Sequence, residues 1–300
     1  MPMTDIAFPD HEYLTVKELA ELLRLKERKV YDLAASGQVP CSKATGKLLF
    51  PAGEIRQWIE QAKSGGGGTI AAGVSRPRIV LGSHDPLLDW AIRQSRCGLA
   101  SYYDGSMDGL QRFVRGEGVA AGMHIHDPET DRWNVPAVIE QATGQNEVLV
   151  RFAKRQRGIV YRSGSMAPAG LQDLAGHRFV PRQGESGTDR LFRELAARDD
   201  LDASSLRLTA VARTEDEAVE TIRRGDADVT FGLEAVARSY GLEFLPIIEE
   251  EFALLVDRSA WFDAPMQGLF GFFKTDQFLD RARAIGGFDT TGLGTVLWNA

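Results

Sequence analysis

Residues 13–58 read YLTVKELAELLRLKERKVYDLAASGQVPCSKATGKLLFPAGEIRQW, and this stretch indicates the fold of the N-terminal part of the chain. Thr15, followed three residues later by Glu18, is the pattern of a capping box, which predicts the start of a helix. A second apolar stripe begins at Val30 and predicts another helix, which Gly37 is suited to end in the left-handed conformation. The stretch is therefore predicted to form two helices joined by a short turn.

A hairpin and a third helix are predicted to follow. Apolar segments on both sides of residues 43–47 predict two short strands, with a tight turn over 43–47 itself. Lys43 and Lys47 would lie in that turn, where they suit contact with phosphate groups. Pro51 is typical of a helix start, so the third helix is expected to begin there.

The start of the second predicted helix carries charged side chains that point away from its apolar stripe. A recognition helix presents side chains to the major groove of DNA at this position. Basic residues outnumber acidic ones by two between residues 13 and 60, whereas the whole chain has a net charge of −7. The residues predicted to contact DNA are Lys26, Arg28, Lys29, Tyr31, Lys43 and Lys47. Alternating lysine and glutamate over residues 26–29 also fits a solvated face of a module that binds only protein, and this alternative stays open.

The stretch resembles the excisionase and MerR-like winged helix-turn-helix family. The residues that carry the resemblance are Leu14-Thr15-Val16, Glu18-Leu19-Ala20, Val30-Tyr31, Ser36-Gly37, Val39-Pro40 and Glu54-Ile55 with Trp58. The resemblance implies a DNA-binding domain over residues 13–61. Members of the family often carry an arginine in the second strand of the wing. Leu48 and Leu49 stand there in this chain, which implies weaker contact between the wing and DNA.

The rest of the sequence indicates a second, larger domain. The 300 residues of the whole chain suggest about two domains, and the glycine-rich residues 62–76 are predicted to link them. No apolar run approaches the roughly 20 residues that span a bilayer, and the N-terminus lacks a secretory signal. A cytoplasmic protein without membrane contact is therefore expected. Cys41 and Cys97 fall in different predicted domains, where they suit neither a disulfide nor a metal site.

The larger part repeats a unit of strand, glycine turn and helix. Gly82-Ser83 and Gly105-Ser106 each stand between a predicted strand and a helix, which places a hydroxyl and backbone N–H groups at a natural anion site. Another strand is predicted to end at His124, and ligands of open α/β sheets bind at such strand ends. Two separate strands are predicted over residues 242–248 and 252–257.

This part resembles the type II periplasmic-binding-protein fold, in a cytoplasmic form fused to a winged helix. The segments that carry the resemblance are Arg182-Gln183 with Ser186-Gly187-Thr188, Gly225-Asp226-Ala227-Asp228 with Gly232, Ala235-Val236-Ala237, Gly241-Leu242-Glu243-Phe244 with Pro246, and Gly286-Gly287-Phe288-Asp289. The resemblance implies the α/β fold class, with an N-terminal winged helix-turn-helix and a two-lobed ligand-sensing domain over residues 77–300. Lobe one would comprise residues 77–160 and 251–300, and lobe two residues 161–250.

Within this fold the sequence is similar to molybdate- and tungstate-binding regulators, so the resemblance implies oxyanion sensing. Glu185 and Asp189 depart from the family pattern, because two carboxylates beside an anion site would oppose a divalent oxyanion. The residues predicted to bind the ligand are Ser83, His84, Ser106, His124, Arg182, Ser186 and Thr188. Each has a plainer alternative, since serines cap helices, arginines pair with carboxylates and lone histidines pack in cores.

The expected function is a ligand-responsive, DNA-binding transcription regulator that senses a small anion, molybdate or tungstate. It is expected to act as a homodimer, because a single helix-turn-helix reads too few base pairs alone. The sequence lacks a nucleophile elbow, a phosphate loop and a metal-binding spacing, so neither an enzyme nor a cofactor is expected. Two alternatives stay open. One is a regulator of an organic acid or sulfur compound, and the other is a carrier or enzyme that uses the winged helix for docking.

Overall fold

The computed structural model describes most of the chain, in two compact units over Met1–Ser75 and Arg76–Ala300. The described residues are 12–23, 25–37, 39–44, 46–61, 76–142, 144, 146–165, 167–184 and 186–300. The predicted linker over residues 62–76 therefore lies outside the described residues, apart from Arg76.

The smaller unit is the predicted winged helix-turn-helix. Its described elements are β1 (Tyr13–Leu14), α1 (Val16–Leu23), α2 (Glu27–Ala35), β2 (Ser42–Ala44), β3 (Lys47–Pro51) and α3 (Ala52–Gln61). The three strands form an antiparallel sheet in the order β1-β3-β2. The helices and the sheet bury one apolar core, formed by Leu14, Leu19, Ala20, Val30, Ala34, Val39, Phe50 and Ile55.

Local hydrogen bonds define where the first two helices begin and end. The Thr15 N–H donates to Glu18 Oε2 at 2.7 Å, and the Glu18 N–H donates to Thr15 Oγ1 at 3.3 Å, which confirms the capping box. Gly37 follows α2 with a φ of 67°, a left-handed conformation that glycine adopts without steric cost. The predicted end of the second helix is thereby confirmed.

The hairpin of the wing is longer than the sequence predicts. Lys43 pairs with Leu48 and Ala44 pairs with Lys47, so both lysines lie on strands. The prediction of a turn over residues 43–47 was wrong, because the backbone pairing continues beyond the apolar residues that indicated the strands.

The larger unit alternates strands and helices. Its elements are β4 (Ile79–Gly82), α4 (Pro86–Ser95), β5 (Ala100–Tyr103), α5 (Ser106–Val114), β6 (Ala120–Met123), β7 (His126–Asp127), β8 (Arg132–Trp133), α6 (Val135–Ala142), β9 (Glu147–Tyr161), β10 (Arg178–Val180), α7 (Gly187–Arg198), β11 (Arg207–Leu208), α8 (Glu215–Arg224), β12 (Val229–Leu233), α9 (Glu234–Ser239), β13 (Glu243–Asp257), α10 (Arg258–Trp261), α11 (Ala264–Phe272), α12 (Asp276–Ile285), β14 (Phe288–Asp289) and β15 (Val296–Asn299). Short 3₁₀ helices cover Leu171–Leu174 and Ala203–Ser205.

Ten strands of the described residues form one sheet with the main order β11-β10-β12-β9-β13-β6-β4-β5, and β14 and β15 also pair with β9. Strands β9 and β13 contain 15 residues each and pair antiparallel along their whole length. One end of this pair belongs to the lobe that contains β4 to β6, which we call the first lobe. The other end belongs to the lobe that contains β10 to β12, the second lobe. The two long strands therefore connect the lobes.

The prediction of two strands over residues 242–248 and 252–257 was wrong, because β13 runs through both. Three glutamates, Glu249–Glu251, lie between the two apolar segments that predicted these strands. Their pairing with β9 nevertheless continues, with irregular register only between Pro246 and Ile248 and between Phe252 and Ala253. Glu250 is fully buried, and its charge is compensated by arginines of β9.

Each lobe buries apolar residues on both faces of the sheet. In the first lobe, Val80 packs with α4, α11 and α12, and its neighbour Leu81 packs with α5 and α6. In the second lobe, Ile159 packs with α7, and its neighbour Val160 packs with α8 and α9. Successive strand residues point to opposite faces, so helices cover both sides of the sheet. Residues 159 and 160 of β9 therefore belong to the second lobe.

Three glycines bring α5 close to the strand ends of the first lobe. A Cβ at Gly109 would lie 2.2 Å from Gly82 Cα, and a Cβ at Gly82 would lie 2.1 Å from Gly122 O. Only glycine permits these approaches. They hold Ser106, the first residue of α5, next to Ser83 at the end of β4.

Candidate functional site

A cavity of about 330 Å³ lies between the lobes. The first lobe contributes one side of α5 and the residues after β6, and the second lobe contributes the start of α7. The lining residues are Met107, Asp108, Gln111, His124, Ile125, His126, Gly184, Ser186, Gly187, Arg190, Leu191 and Glu194. The cavity is thus at the carboxyl end of β6 and at a helix N-terminus, where ligands of α/β proteins bind.

Polar contacts join the lobes around this cavity. His126 Nδ1 of the first lobe lies 2.6 Å from Glu194 Oε1 of α7. Asp104 accepts a hydrogen bond from Gln183 Nε2 at its backbone oxygen (3.2 Å) and one from Arg213 at Oδ1 (3.1 Å). These contacts correspond to a cleft with its two sides together.

Ser83 and Ser106 form a buried hydroxyl pair next to the cavity but do not line it. Their Oγ atoms are 2.8 Å apart, and Ser106 Oγ also accepts a hydrogen bond from the His124 N–H at 3.1 Å. His84 points elsewhere, because its ring packs edge-on against Tyr103 at 5.4 Å. Of these predicted residues, only His124 lines the cavity.

The second lobe brings Ser186 to the cavity, where it caps α7 by accepting a hydrogen bond from the Asp189 N–H at 3.1 Å. Thr188 instead donates from Oγ1 to Glu215 Oε1 at 3.2 Å. The guanidinium of Arg182 lies 3.1 Å from the same carboxylate oxygen, so it faces Glu215 and not the cavity. Glu185 lies outside the described residues.

A chain of buried ion pairs runs beneath the cavity along β9 and β13. Arg155 contacts Asp85 at 2.8 Å, and it also pairs with Glu250. Arg157 contacts Glu250 at 2.7 Å and Glu215 at 2.8 Å. With Arg182 bound to Glu215, three arginines meet three carboxylates, and the chain of ion pairs carries no net charge. We call these six residues the hinge network.

The charges of the hinge network determine the protonation of its members. Burial alone would raise the pKa of Glu215, but Arg157 and Arg182 outweigh it and lower that pKa to about 2. Burial acts against Glu250 in the same way, and Arg155 and Arg157 hold its pKa well below the ordinary value. Both carboxylates are therefore ionised at neutral pH.

His124 lies where the cavity and the hinge network meet. Its Nδ1 is 3.0 Å from Glu250 Oε2, and its ring stacks on Phe252. Burial lowers the pKa of His124 below the ordinary value, although Glu250 acts in the opposite direction. The imidazole is therefore neutral at neutral pH.

The sequence did contain a signal for the hinge network. Arg155 and Arg157 are two residues apart, which places them on one face of a strand. Glu250 lies two residues from Ile248 and two from Phe252, so its neighbours on the same face of a second strand are apolar. The signal was missed because a run of charged residues usually marks a solvated surface, and nothing local indicates that β9 and β13 pair with each other.

The predicted DNA-contacting residues are exposed in the smaller unit. Lys26, Arg28, Lys29 and Tyr31 are exposed at the start of α2, and Lys43 and Lys47 are exposed on the wing strands. None of these five basic residues forms an ion pair with another described residue. They are therefore available to phosphate groups.

Two further findings bear on the class of protein. Among the described residues, no group of three or more histidine, cysteine or acidic side chains is arranged to hold a metal ion. The part of the chain described here also contains no helix that is long and apolar enough to cross a membrane.

Comparison with known proteins assigns both units. The sequence model of a helix-turn-helix domain of the excisionase-like kind matches residues 13–63. The chain is 22% identical over 268 residues to the uncharacterized protein YvgK of Bacillus subtilis, covering 81% of this chain and 84% of that protein. It is also similar to the structure of a candidate phosphate ABC transporter substrate-binding protein from Clostridium perfringens, with a TM-score of 0.53 and 10% identity. This match covers 71% of this chain and 98% of that chain.

The larger unit matches the sequence model of a known protein family. The sequence model of the PBP superfamily domain covers residues 90–274, which is more than half of the chain. The two lobes, the two connecting strands and the cleft between the lobes agree with this match. The chain therefore belongs to the PBP superfamily, and it carries a helix-turn-helix domain ahead of its PBP domain.

Proposed function

We propose that the chain is a transcription regulator that binds DNA through residues 13–61 and responds to a small anion in the cleft of residues 76–300. The observation that carries the proposal is the presence of a helix-turn-helix domain and a PBP superfamily domain in one chain. The first supplies a surface for the major groove. The second supplies two lobes on a common hinge, which is the two-state element that a sensor needs.

The start of α7 supports an anionic ligand. The N–H groups of Gly187 and Thr188 occupy the first helical positions, where no intrahelical acceptor exists. Ser186 accepts the capping hydrogen bond and still has its own hydroxyl proton to donate. Arg190 lines the same cavity and forms no ion pair with any described residue. Helix N–H groups, a hydroxyl and a guanidinium together favour negative charge.

The identity of the anion is a further proposal, and observations stand both for and against molybdate or tungstate. The sequence resemblance implies molybdate or tungstate, which neutral hydroxyls and N–H groups would bind without full neutralisation of charge. Asp108 and Glu194 line the same cavity, and carboxylates oppose a divalent anion. Molybdate and tungstate are therefore the first members of a test panel that also holds sulfate, phosphate and small organic acids.

The regulator is proposed to act as a homodimer without a catalytic step. A dimer would place two recognition helices on two half-sites, which a single helix-turn-helix cannot do. The alternative is a carrier or enzyme whose winged helix binds protein. That alternative predicts ligand binding without any affinity for DNA.

The test uses the full chain and DNA fragments that it enriches from a random library. We expect the double variant Arg28→Ala, Lys29→Ala to lose most of its affinity in fluorescence anisotropy, while Lys17→Ala on exposed α1 keeps it. One panel anion should change the dissociation constant for DNA by about 5- to 150-fold. Failure to enrich any DNA, alongside clear anion binding, would favour the carrier or enzyme.

A further inference from the structure

His124 presents an unused hydrogen-bond acceptor to the cleft. The residue is only 4% exposed, and no described residue donates a hydrogen bond to its Nε2. A Cβ built on Gly187 would lie 3.1 Å from Nε2, so this edge of the ring faces the start of α7 at the cavity wall. Nε2 therefore lies at the cavity wall, where a bound ligand can donate a hydrogen bond to it.

The charge of Glu250 favours the ring form in which Nε2 accepts a hydrogen bond. Glu250 Oε2 lies 3.0 Å from Nδ1, a charge contact without hydrogen-bond geometry, and this carboxylate is ionised because two arginines hold it. A negative oxygen at that distance favours the proton on Nδ1 of the neutral ring. The other ring nitrogen, Nε2, then keeps its lone pair.

Other groups around the cavity also divide into hydrogen-bond acceptors and donors. Asp108 of α5, which also pairs with Arg112, contributes carboxylate oxygens on the side of His124, whereas Glu194 of α7 is already bound to His126. Ser186 and Arg190 contribute donors on the side of α7. A ligand must therefore offer oxygens to one side of the cavity and a proton to the other.

We propose that the cleft selects an anion that carries a hydrogen-bond donor of its own over a fully deprotonated anion of the same shape. This inference rests on the proposed function and names the ligand class of the same site. Hydrogen phosphate and hydroxy acids belong to the selected class. Sulfate, molybdate and tungstate are fully deprotonated at neutral pH, so their oxygens would face the lone pair of His124 Nε2.

The expected discrimination is large enough to measure. A site that pairs with a ligand donor rejects an analogue without that donor, because the buried acceptor is then left unpaired. The loss of one such bond corresponds to about a 5- to 150-fold change in affinity. Phosphate and sulfate differ by little more than a proton, so their ratio isolates this effect from size. Lactate and pyruvate form a second pair, in which a hydroxyl replaces a keto oxygen.

The experiment measures calorimetric affinities of the full chain for phosphate, sulfate, molybdate, tungstate, lactate and pyruvate at pH 7.5. We expect the donor-bearing member of at least one matched pair to bind about tenfold tighter or more. His124→Phe keeps a ring against Gly187 and Phe252 but removes Nε2, so the preference should fall to within about threefold. His84→Phe is the matched control, because His84 lies outside the cavity, and it should keep the wild-type ratio.

The outcomes separate this inference from the proposed function. Equal affinities within both matched pairs, or an unchanged ratio in His124→Phe, overturn the inference but leave anion sensing in place. No binding of any panel member overturns anion sensing and this inference together. If His124→Phe does not fold, the wild-type ratios alone decide, since equal affinities within both pairs contradict a donor requirement.

Discussion

Replacing Glu250 by glutamine should weaken the larger unit more than any other single exchange of a glutamate on β13. Glu250 is fully buried and contacts Arg155, Arg157 and His124. Glutamine has nearly the same shape but no charge. The exchange would leave the hinge network with one uncompensated positive charge, in a place where water cannot solvate it.

The magnitude follows from the balance of the network. Three arginines now meet three carboxylates, and the exchange makes the ratio three to two. Removal of one partner from a buried ion pair costs about 3–5 kcal/mol. A domain of this size shifts its midpoint by roughly 2–4 °C per kcal/mol, so the unfolding temperature should fall by about 6–20 °C.

Differential scanning calorimetry of the full chain measures this fall in unfolding temperature. The larger unit is followed by the unfolding transition with the larger enthalpy. Glu249→Gln is the matched control, because Glu249 precedes Glu250 on β13 but is exposed and pairs with Lys154 at the surface. Exposed ion pairs contribute at most about 1 kcal/mol. Equal shifts in the two variants, or a loss below about 1 kcal/mol in Glu250→Gln, would refute the reasoning.

The difference between wild type and Glu250→Gln should also depend on pH. The folded-state pKa of Glu250 lies well below the ordinary value, so its stabilising contribution is fully present above the unfolded pKa of about 4.3. The contribution is lost as the pH falls below that value towards the folded pKa. The two proteins should therefore differ most near pH 7 and converge in acid, as measured by urea unfolding at each pH.

Three further changes test other parts of the structure. Gly187→Ala should weaken anion binding at least about tenfold in calorimetry, because the added Cβ would lie 2.9 Å from the His124 ring when the cleft is closed. Gly184→Ala is the control and should bind normally, because its Cβ would meet only the flexible end of Arg193 at 3.9 Å. Lys29→Ala should weaken DNA binding and lower the slope of affinity against salt concentration by about one, whereas Lys17→Ala should leave that slope unchanged. Thr214→Ala removes the capping box of α8 and should cost about 1 kcal/mol in urea unfolding; no measurable loss would contradict the role of the cap.

The sequence predicted the smaller unit well because its signals are local. A capping box, apolar stripes at helical spacing and Gly37 are each read within a few residues, and all three are present in the structure. The prediction of the wing was less accurate. Lys43 and Lys47 lie on its strands because of backbone pairing, which side-chain polarity does not indicate. The excisionase-like resemblance and the PBP fold, which depend on motifs, are confirmed by the family comparisons.

The candidate site was less accessible to sequence reasoning because it depends on distant contacts. Serines after glycine turns indicated the right strand ends, but Ser83 and Ser106 bond to each other behind the cavity. Arg182 looked like an anion partner, and it binds Glu215 instead. Arg190 on α7 was not singled out, since its place at the cavity follows from the packing of the two lobes.

The hinge network suggests where the connecting strands can bend at least cost. Arg155 is bound to Asp85 of the first lobe, whereas Arg157 is bound to Glu215 of the second. A bend at Gln156 would keep both of these pairs, and only Glu250, which holds both arginines, would have to adjust. Opening anywhere else along β9 would separate a buried arginine from its carboxylate, at a cost of several kcal/mol. We therefore expect ligand-dependent hydrogen exchange to change most at residues 155–157 and at their partners on β13, and uniform protection along both strands would contradict this location of the hinge.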